Sequence, residues 1–200
     1  MKFLNVSKEN INIDGIPAIV LKPELEMDRY PTVIFYHGWS SRKEYQEFRG
    51  SVIASLGYQV IIPDAIHHGD RGDLDYAASE NSGFFWRVVL TNLDEWSKIR
   101  AYAVEKLQAD PGRIAVSGHS MGGFTSAGIF AENTDIRTCV ILNGSFNWLE
   151  SNEEFKRRLN VHMTKEFQDL QQEVEKRNPA ASVVNLLDRP ILILHGEADS

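Results

Sequence analysis

The sequence predicts an α/β fold, with a mostly parallel central sheet and helices on both of its faces. Three observations carry this expectation. From about residue 30 onward, apolar runs of strand length alternate with amphipathic segments of helix length. The runs, such as Thr32-Val33-Ile34-Phe35-Tyr36 and Cys139-Val140-Ile141-Leu142, are apolar at nearly every position, as expected of strands covered on both faces. Several of them end in glycine-bearing turns, His37-Gly38 and His195-Gly196 among them.

Each element follows from its local pattern. Residues 2–22 hold two strand-like runs around Asp14-Gly15 and end at Pro23, which predicts an N-terminal antiparallel hairpin. Residues 32–36 form the next strand. Residues 43–56 read as a helix with Tyr45, Phe48, Val52 and Leu56 on one face and Gly57 as its stop. Tyr58 to Ile62 is a strand closed by Pro63-Asp64, and a polar loop runs on to about residue 82. Residues 83–108 are helical, with Phe85, Val89, Leu93, Trp96, Ala103 and Leu107 near one stripe and Asp110-Pro111-Gly112 as the closing turn. Arg113 to Ser117 is a short buried strand, and Gly123 to Phe130 is a helix. Ile136 to Leu142 and Pro190 to Leu194 are the last two strands.

Residues 146–185 interrupt the alternation. Phe155, Leu159, Met163, Phe167, Leu170 and Val174 recur at spacings of three and four, which predicts one amphipathic helix inserted between two strands. At this place in the fold the insertion is expected to act as a lid or pocket wall. The alternative is a helix packed on the core with no part in the site.

Composition excludes several classes. The 200 residues fit one domain spanning 1–200, without repeats or linkers. A net charge of −7 and the lack of a dense basic cluster argue against a nucleic-acid partner. No apolar run approaches the ~20 residues of a membrane span, so no membrane partner is expected. The first residues lack the apolar region of a signal peptide, and the lone Cys139 cannot form an intrachain disulfide. These features predict a cytoplasmic protein.

Chemistry enters at Gly118-His119-Ser120-Met121-Gly122, a Gly-x-Ser-x-Gly pattern between a predicted strand and a predicted helix. That context is the nucleophile elbow of the α/β-hydrolases. A serine hydroxyl needs an adjacent base, a carboxylate to orient that base, and donors for the oxyanion. Ser120 is the candidate nucleophile. The Met121 N–H is one candidate oxyanion donor, and the Trp39 N–H, in the loop after the 32–36 strand, is the other. Asp199 is the candidate acid. Glu197 competes but sits earlier in the same turn. His37, His68, His119 and Phe155 are candidate pocket residues. Chain order in this fold places the base after the acid. None of the six histidines does so, which leads to the expectation that the chain stops before the last strand and helix of the domain. A rewired triad through His68 or His162 is the alternative. The stretch Asp64 to Asp73 holds two histidines and three aspartates and admits a metal reading. Its carboxylates flank Arg71, which can satisfy them, and no metal or other cofactor is expected.

Taken in order, His37-Gly38-Trp39-Ser40, Pro63-Asp64 with His68-Gly69, Gly118 to Gly123, and His195-Gly196-Glu197-Ala198-Asp199 resemble the α/β-hydrolases. They look most like small microbial esterases related to dienelactone hydrolases and to prolyl-oligopeptidase-type catalytic domains. The resemblance runs from about residue 16 to the end. It implies a carboxylesterase-type serine hydrolase that acts on a small-molecule ester through an acyl-enzyme on Ser120, with a histidine about 25–35 residues past Asp199. A peptidase or amidase, and a non-catalytic binding protein on the same fold, are the competing readings. A homodimer and the identity of the acyl and alcohol groups are left open.

Overall fold

The computed structural model describes residues 3–78, 81, 83–159, 165–186 and 188–196. The chain opens with the predicted hairpin, β1 (Val6–Ile13) and β2 (Ile16–Pro23). Its two-residue turn, Asp14-Gly15, has φ of 48° and 93°, so both residues are left-handed, as a turn matching the strand twist requires. Then come β3 (Tyr30–Tyr36), α1 (Glu47–Ser55), β4 (Gln59–Pro63), α2 (Phe84–Lys106), β5 (Ala109–His119) and α3 (Met121–Glu132). β6 (Thr138–Leu142), α4 (Trp148–Leu159), α5 (Lys165–Lys176), α6 (Val183–Leu186) and β7 (Ile191–Leu194) complete the described chain.

The seven strands form one sheet in the order β1-β2-β4-β3-β5-β6-β7. The hairpin joins it antiparallel through β2 and β4, and β4, β3, β5, β6 and β7 run parallel. Strand alternation divides the core in two. Ile19, Leu21, Phe35, Val60 and Ile62 point to the face that α1 covers with Ala54. Ile34, Tyr36, Ile61 and Val116 point to the other face, where Trp86, Phe130 and Trp148 from α2, α3 and α4 fill the larger cluster.

Three local expectations are corrected. The 43–56 segment starts as a 3-10 turn (Lys43–Gln46) before α1, and its apolar stripe faces solvent, with Phe48 80% exposed. The packed face is Gly50 and Ala54 instead. A Cβ on Gly50 would lie 2.6 Å from Leu21 Cδ1 and 2.9 Å from Ile62 Cδ1, so the small residues set the closest approach of helix to sheet. Asp110-Pro111-Gly112 lies inside β5 rather than closing α2, which ends one residue before Leu107 and just ahead of left-handed Gln108. Among the described residues the 146–185 insertion carries α4 and α5, joined through Asn152 and Gln171, and the start of the short α6, where one helix was expected.

Among the described residues seven non-glycine positions have positive φ, and four of them follow the ends of consecutive parallel strands. Ser40 follows β3, His67 follows β4, Ser120 follows β5 and Asn143 follows β6. Backbone strain of this kind costs about 1–3 kcal/mol per residue and collects where a structure holds functional groups in place. The carboxyl ends of the strands are also where ligands bind in open α/β sheets.

Candidate active site

Ser120 sits between the last residue of β5 and the first of α3, with φ 53° and ψ −118°. Its N–H donates to the Leu142 carbonyl (2.8 Å), and its own carbonyl accepts from Gly123 N (2.7 Å). The turn closes only because its glycines lack Cβ atoms. A Cβ on Gly122 would overlap the Tyr36 carbonyl and come within 2.7 Å of the His37 carbonyl. A Cβ on Gly118 would overlap Gly122. Ser120 is thus half-buried at the top of the sheet. Met121 opens α3, where the first N–H groups have no acceptor within the helix and the helix dipole favours negative charge.

The loop after β3 comes directly against this elbow. A Cβ on Gly38 would lie 3.2 Å from the His119 carbonyl, 3.3 Å from His119 Nδ1 and 3.4 Å from Ser120 Cβ. Trp39, the next residue, is half-buried. Its indole meets His68 (5.2 Å between centroids), Tyr76 (5.3 Å) and Phe85 (6.0 Å), and its Nε1–H donates to the Tyr76 carbonyl (3.4 Å). The two segments expected to carry the oxyanion donors therefore lie side by side.

Beneath that loop, His37 uses both ring nitrogens on backbone. Nε2 accepts from Ala65 N–H (3.0 Å), so the proton resides on Nδ1, which donates to the Gly38 carbonyl (2.9 Å). Burial pushes this imidazole down to about 4, and the Gly38 hydrogen bond opposes the shift without cancelling it. His68 is fully buried, and its Nδ1 lies 2.7 Å from the Ile66 carbonyl. Its Nε2 is buried without a hydrogen-bond partner. Burial lowers its pKa as well. Neither ring makes a hydrogen bond to Ser120, so the rewired triad through His68 is not formed. His162, Met163, Glu197 and Asp199 lie outside the described residues, as does the side chain of Phe167. The strand leading to Asp199 ends beside the elbow. β7 pairs with β6 up to Leu142, and Gly196 N–H donates to Asn143 Oδ1 (3.2 Å).

The polar loop after β4 is held by Lys43, the first residue of the expected 43–56 helix. Lys43 Nζ donates to Asp64 Oδ2 (2.6 Å), Asp70 Oδ2 (2.6 Å) and Glu44 Oε1 (2.9 Å) while only 3% of its side chain is exposed. Desolvation alone would lower its pKa, but the three carboxylates outweigh it and hold the ammonium above its ordinary range. The same contact holds the Asp70 carboxyl below its usual range. Arg71, expected to satisfy these carboxylates, instead forms a bidentate pair with Glu95 (2.6 and 2.8 Å). Among the described residues no group of three or more His, Cys, Asp or Glu is arranged to hold a metal ion. The signal for Lys43 was weak. A lone lysine among polar residues ordinarily reads as solvent-facing.

An aromatic cluster begins at Trp39 and runs through Phe85 to α3 and α4. Phe155 of α4 meets Phe85 (5.1 Å), Phe124 (6.0 Å) and Trp86 (6.4 Å). Phe124 lies one turn into α3 from Ser120. α4 and α5 are docked on the body: Trp148 and Val174 are fully buried, and Trp86 Nε1–H donates to Asn152 Oδ1 (2.7 Å). A separate open depression of about 920 Å³, lined by Met27, Arg29, Tyr30, Gln108 and Arg113, lies at the opposite end of β3 and β5.

A model of the prolyl oligopeptidase family matches residues 44–200. YitV of Bacillus subtilis strain 168 is 32% identical over 198 residues, covering 96% of this chain and 77% of YitV. Esterase YjfP of Escherichia coli strain K12 is 30% identical over 195 residues, covering 96% of this chain and 78% of YjfP. Among solved structures, TT1662 from Thermus thermophilus superposes with a TM-score of 0.77 at 20% identity, covering 96% of this chain and 76% of that one. An acylaminoacyl peptidase from Pyrococcus horikoshii superposes with a TM-score of 0.65 at 20% identity, over 98% of this chain and 32% of its own. Among the described residues no helix is long and apolar enough to cross a membrane.

Proposed function

This chain belongs to the prolyl oligopeptidase family, of the α/β-hydrolase fold, and from that membership and the Ser120 elbow we propose that it is a serine carboxylesterase acting on small-molecule esters. Membership of the family and the esterase-named relatives make the chain a hydrolase. The ester reading is favoured by the relatives. YitV and YjfP both carry esterase in their names, and this chain spans more than three-quarters of each. The acylaminoacyl peptidase resembles it over only 32% of its own length.

The observation that carries the mechanism is the strained Ser120 set against Gly38 and the start of α3. In the proposed reaction the Ser120 hydroxyl attacks the ester carbonyl, and its proton passes to a histidine base oriented by Asp199. The carbonyl oxygen becomes an oxyanion between the N–H groups of Met121 and Trp39. Donors fixed beforehand stabilise that charge without reorganising, and losing one typically costs about 3 kcal/mol of transition-state stabilisation. Collapse expels the alcohol, and water then releases the acid from the acyl-enzyme. Phe85, Phe124 and Phe155 supply an apolar wall for the acyl chain, with Trp39 beside it.

A series of p-nitrophenyl esters of increasing acyl length tests this reading. The expected result is hydrolysis by the wild type and loss of at least three orders of magnitude in Ser120→Ala. Equal rates in the two proteins would overturn it.

A further inference from the structure

The loop that carries Trp39 is clamped at both ends onto the loop after β4, and the clamps are buried. At its start, His37 Nε2 accepts the Ala65 N–H. At its end, Lys43 meets Asp64 twice, through its backbone N–H to Oδ1 (2.9 Å) and its ammonium to Oδ2 (2.6 Å). Asp64 is inaccessible to solvent and also accepts the Asp70 N–H (3.0 Å). Gly69 passes so close to the Asp64 carboxylate that a Cβ there would overlap it. Between the clamps lie Gly38 against the elbow and Ser40 at φ 55°.

A buried ion pair is a poor source of stability, because desolvating the two charges offsets most of their attraction. Apolar side chains of the same size would hold a helix start to a loop about as well. What the pair adds is direction. Asp64 takes three hydrogen bonds from two segments and so fixes their relative place, to a precision that packing alone does not give.

We propose that the Lys43–Asp64 pair is a positioning device for residues 37–42, fixing the Trp39 N–H where the oxyanion develops beside Ser120. The proposal rests on the serine-hydrolase reading. Lys43 and Asp64 touch no reacting atom. They act through the backbone of the loop.

Two variants test it, Lys43→Met and the double variant Lys43→Met with Asp64→Asn. In Lys43→Met the buried Asp64 loses its main partner, so stability falls. The double variant removes the buried acid as well and should regain part of that stability. For p-nitrophenyl acetate, kcat should fall at least tenfold in both variants while KM stays within threefold. The decisive point is that kcat does not return in the double variant when stability does. Recovery of kcat together with stability, or a change confined to KM, would overturn the proposal. Should the wild type show no Ser120-dependent hydrolysis, the functional reading fails, and the clamp is then read separately by amide hydrogen exchange. Exchange in residues 38–42 should quicken in Lys43→Met while α2 and α3 are unchanged. Unaltered exchange there would overturn the clamp itself.

Discussion

Two walls near Ser120, one of loops and one of helices, are held by different means. The loop wall, residues 37–43 and 64–71, is held by buried charges and by ring nitrogens bonded to backbone. The helical wall, α4 and α5, is held by aromatic packing, by buried but uncharged hydrogen bonds such as Trp86 to Asn152, and by ion pairs open to solvent. Arg177 there bonds Glu132 and Asp94 at 2.6 Å, but the acids are 34% and 68% exposed. In the proposed reaction the loop presents an N–H to a developing charge, and buried charged bonds suit that part. In the same proposal the helical wall borders the acyl chain, and packing, which tolerates volume-conserving change, suits that part. The difference teaches that two regions of one proposed site are held by different kinds of force.

The largest expected contrast is in stability. Lys43→Met leaves a buried carboxylate uncompensated and should cost about 3–5 kcal/mol. Arg177→Met removes solvent-screened pairs and should cost about 1 kcal/mol or less. Urea denaturation of the two variants checks this, and similar losses would erase the distinction between the walls.

A pH series sharpens it. The folded pKa of His37 is near 4, below its ordinary 6.5, so between those values the unfolded chain binds the additional proton. The contribution of this residue is therefore complete above pH 6.5 and is lost as pH falls toward 4. It amounts to roughly 3 kcal/mol. The lowered pKa of His68, which faces the same ring at 5.1 Å, adds a loss of the same sign. Asp64 and Lys43 are the charged groups facing His37 from its neighbours. Denaturation midpoints between pH 7.5 and 4 should fall more steeply in the wild type than in His37→Gln. Parallel curves would show that the imidazole is not held neutral.

A smaller effect than that of Lys43→Met is expected from the aromatic packing of the helical wall. Phe155 is half-buried against Phe85 and Phe124, so Phe155→Ala should cost about 2 kcal/mol, less than a fully buried phenylalanine. It should move the preferred p-nitrophenyl ester toward longer acyl chains and leave activity on the acetate within about threefold. An unchanged chain-length profile would make α4 ordinary core.

Much of this was legible in the sequence. The strands from β3 to β6 and the helix α2 follow from apolar runs and helical period, and the elbow from its glycines and flanks. Other features depended on tertiary context. Lys43 looks like a surface lysine until Asp64 and Asp70, 21 and 27 residues later, fold over it. The stripe Tyr45, Phe48, Val52 has the right period for a packed face, yet Gly50 allows the closer approach and wins. The helical spacing runs on from Leu159 through Met163 to Phe167, so nothing in the pattern separates α4 from α5.

The central claim is that Ser120 is the nucleophile, and covalent labelling tests it most directly. The protein is treated with a fluorophosphonate and the modified peptide is mapped by mass spectrometry. The account predicts one adduct, on Ser120, and none in a folded Ser120→Ala variant. An adduct that persists in that variant, or one mapped to another residue of the wild type, would contradict it.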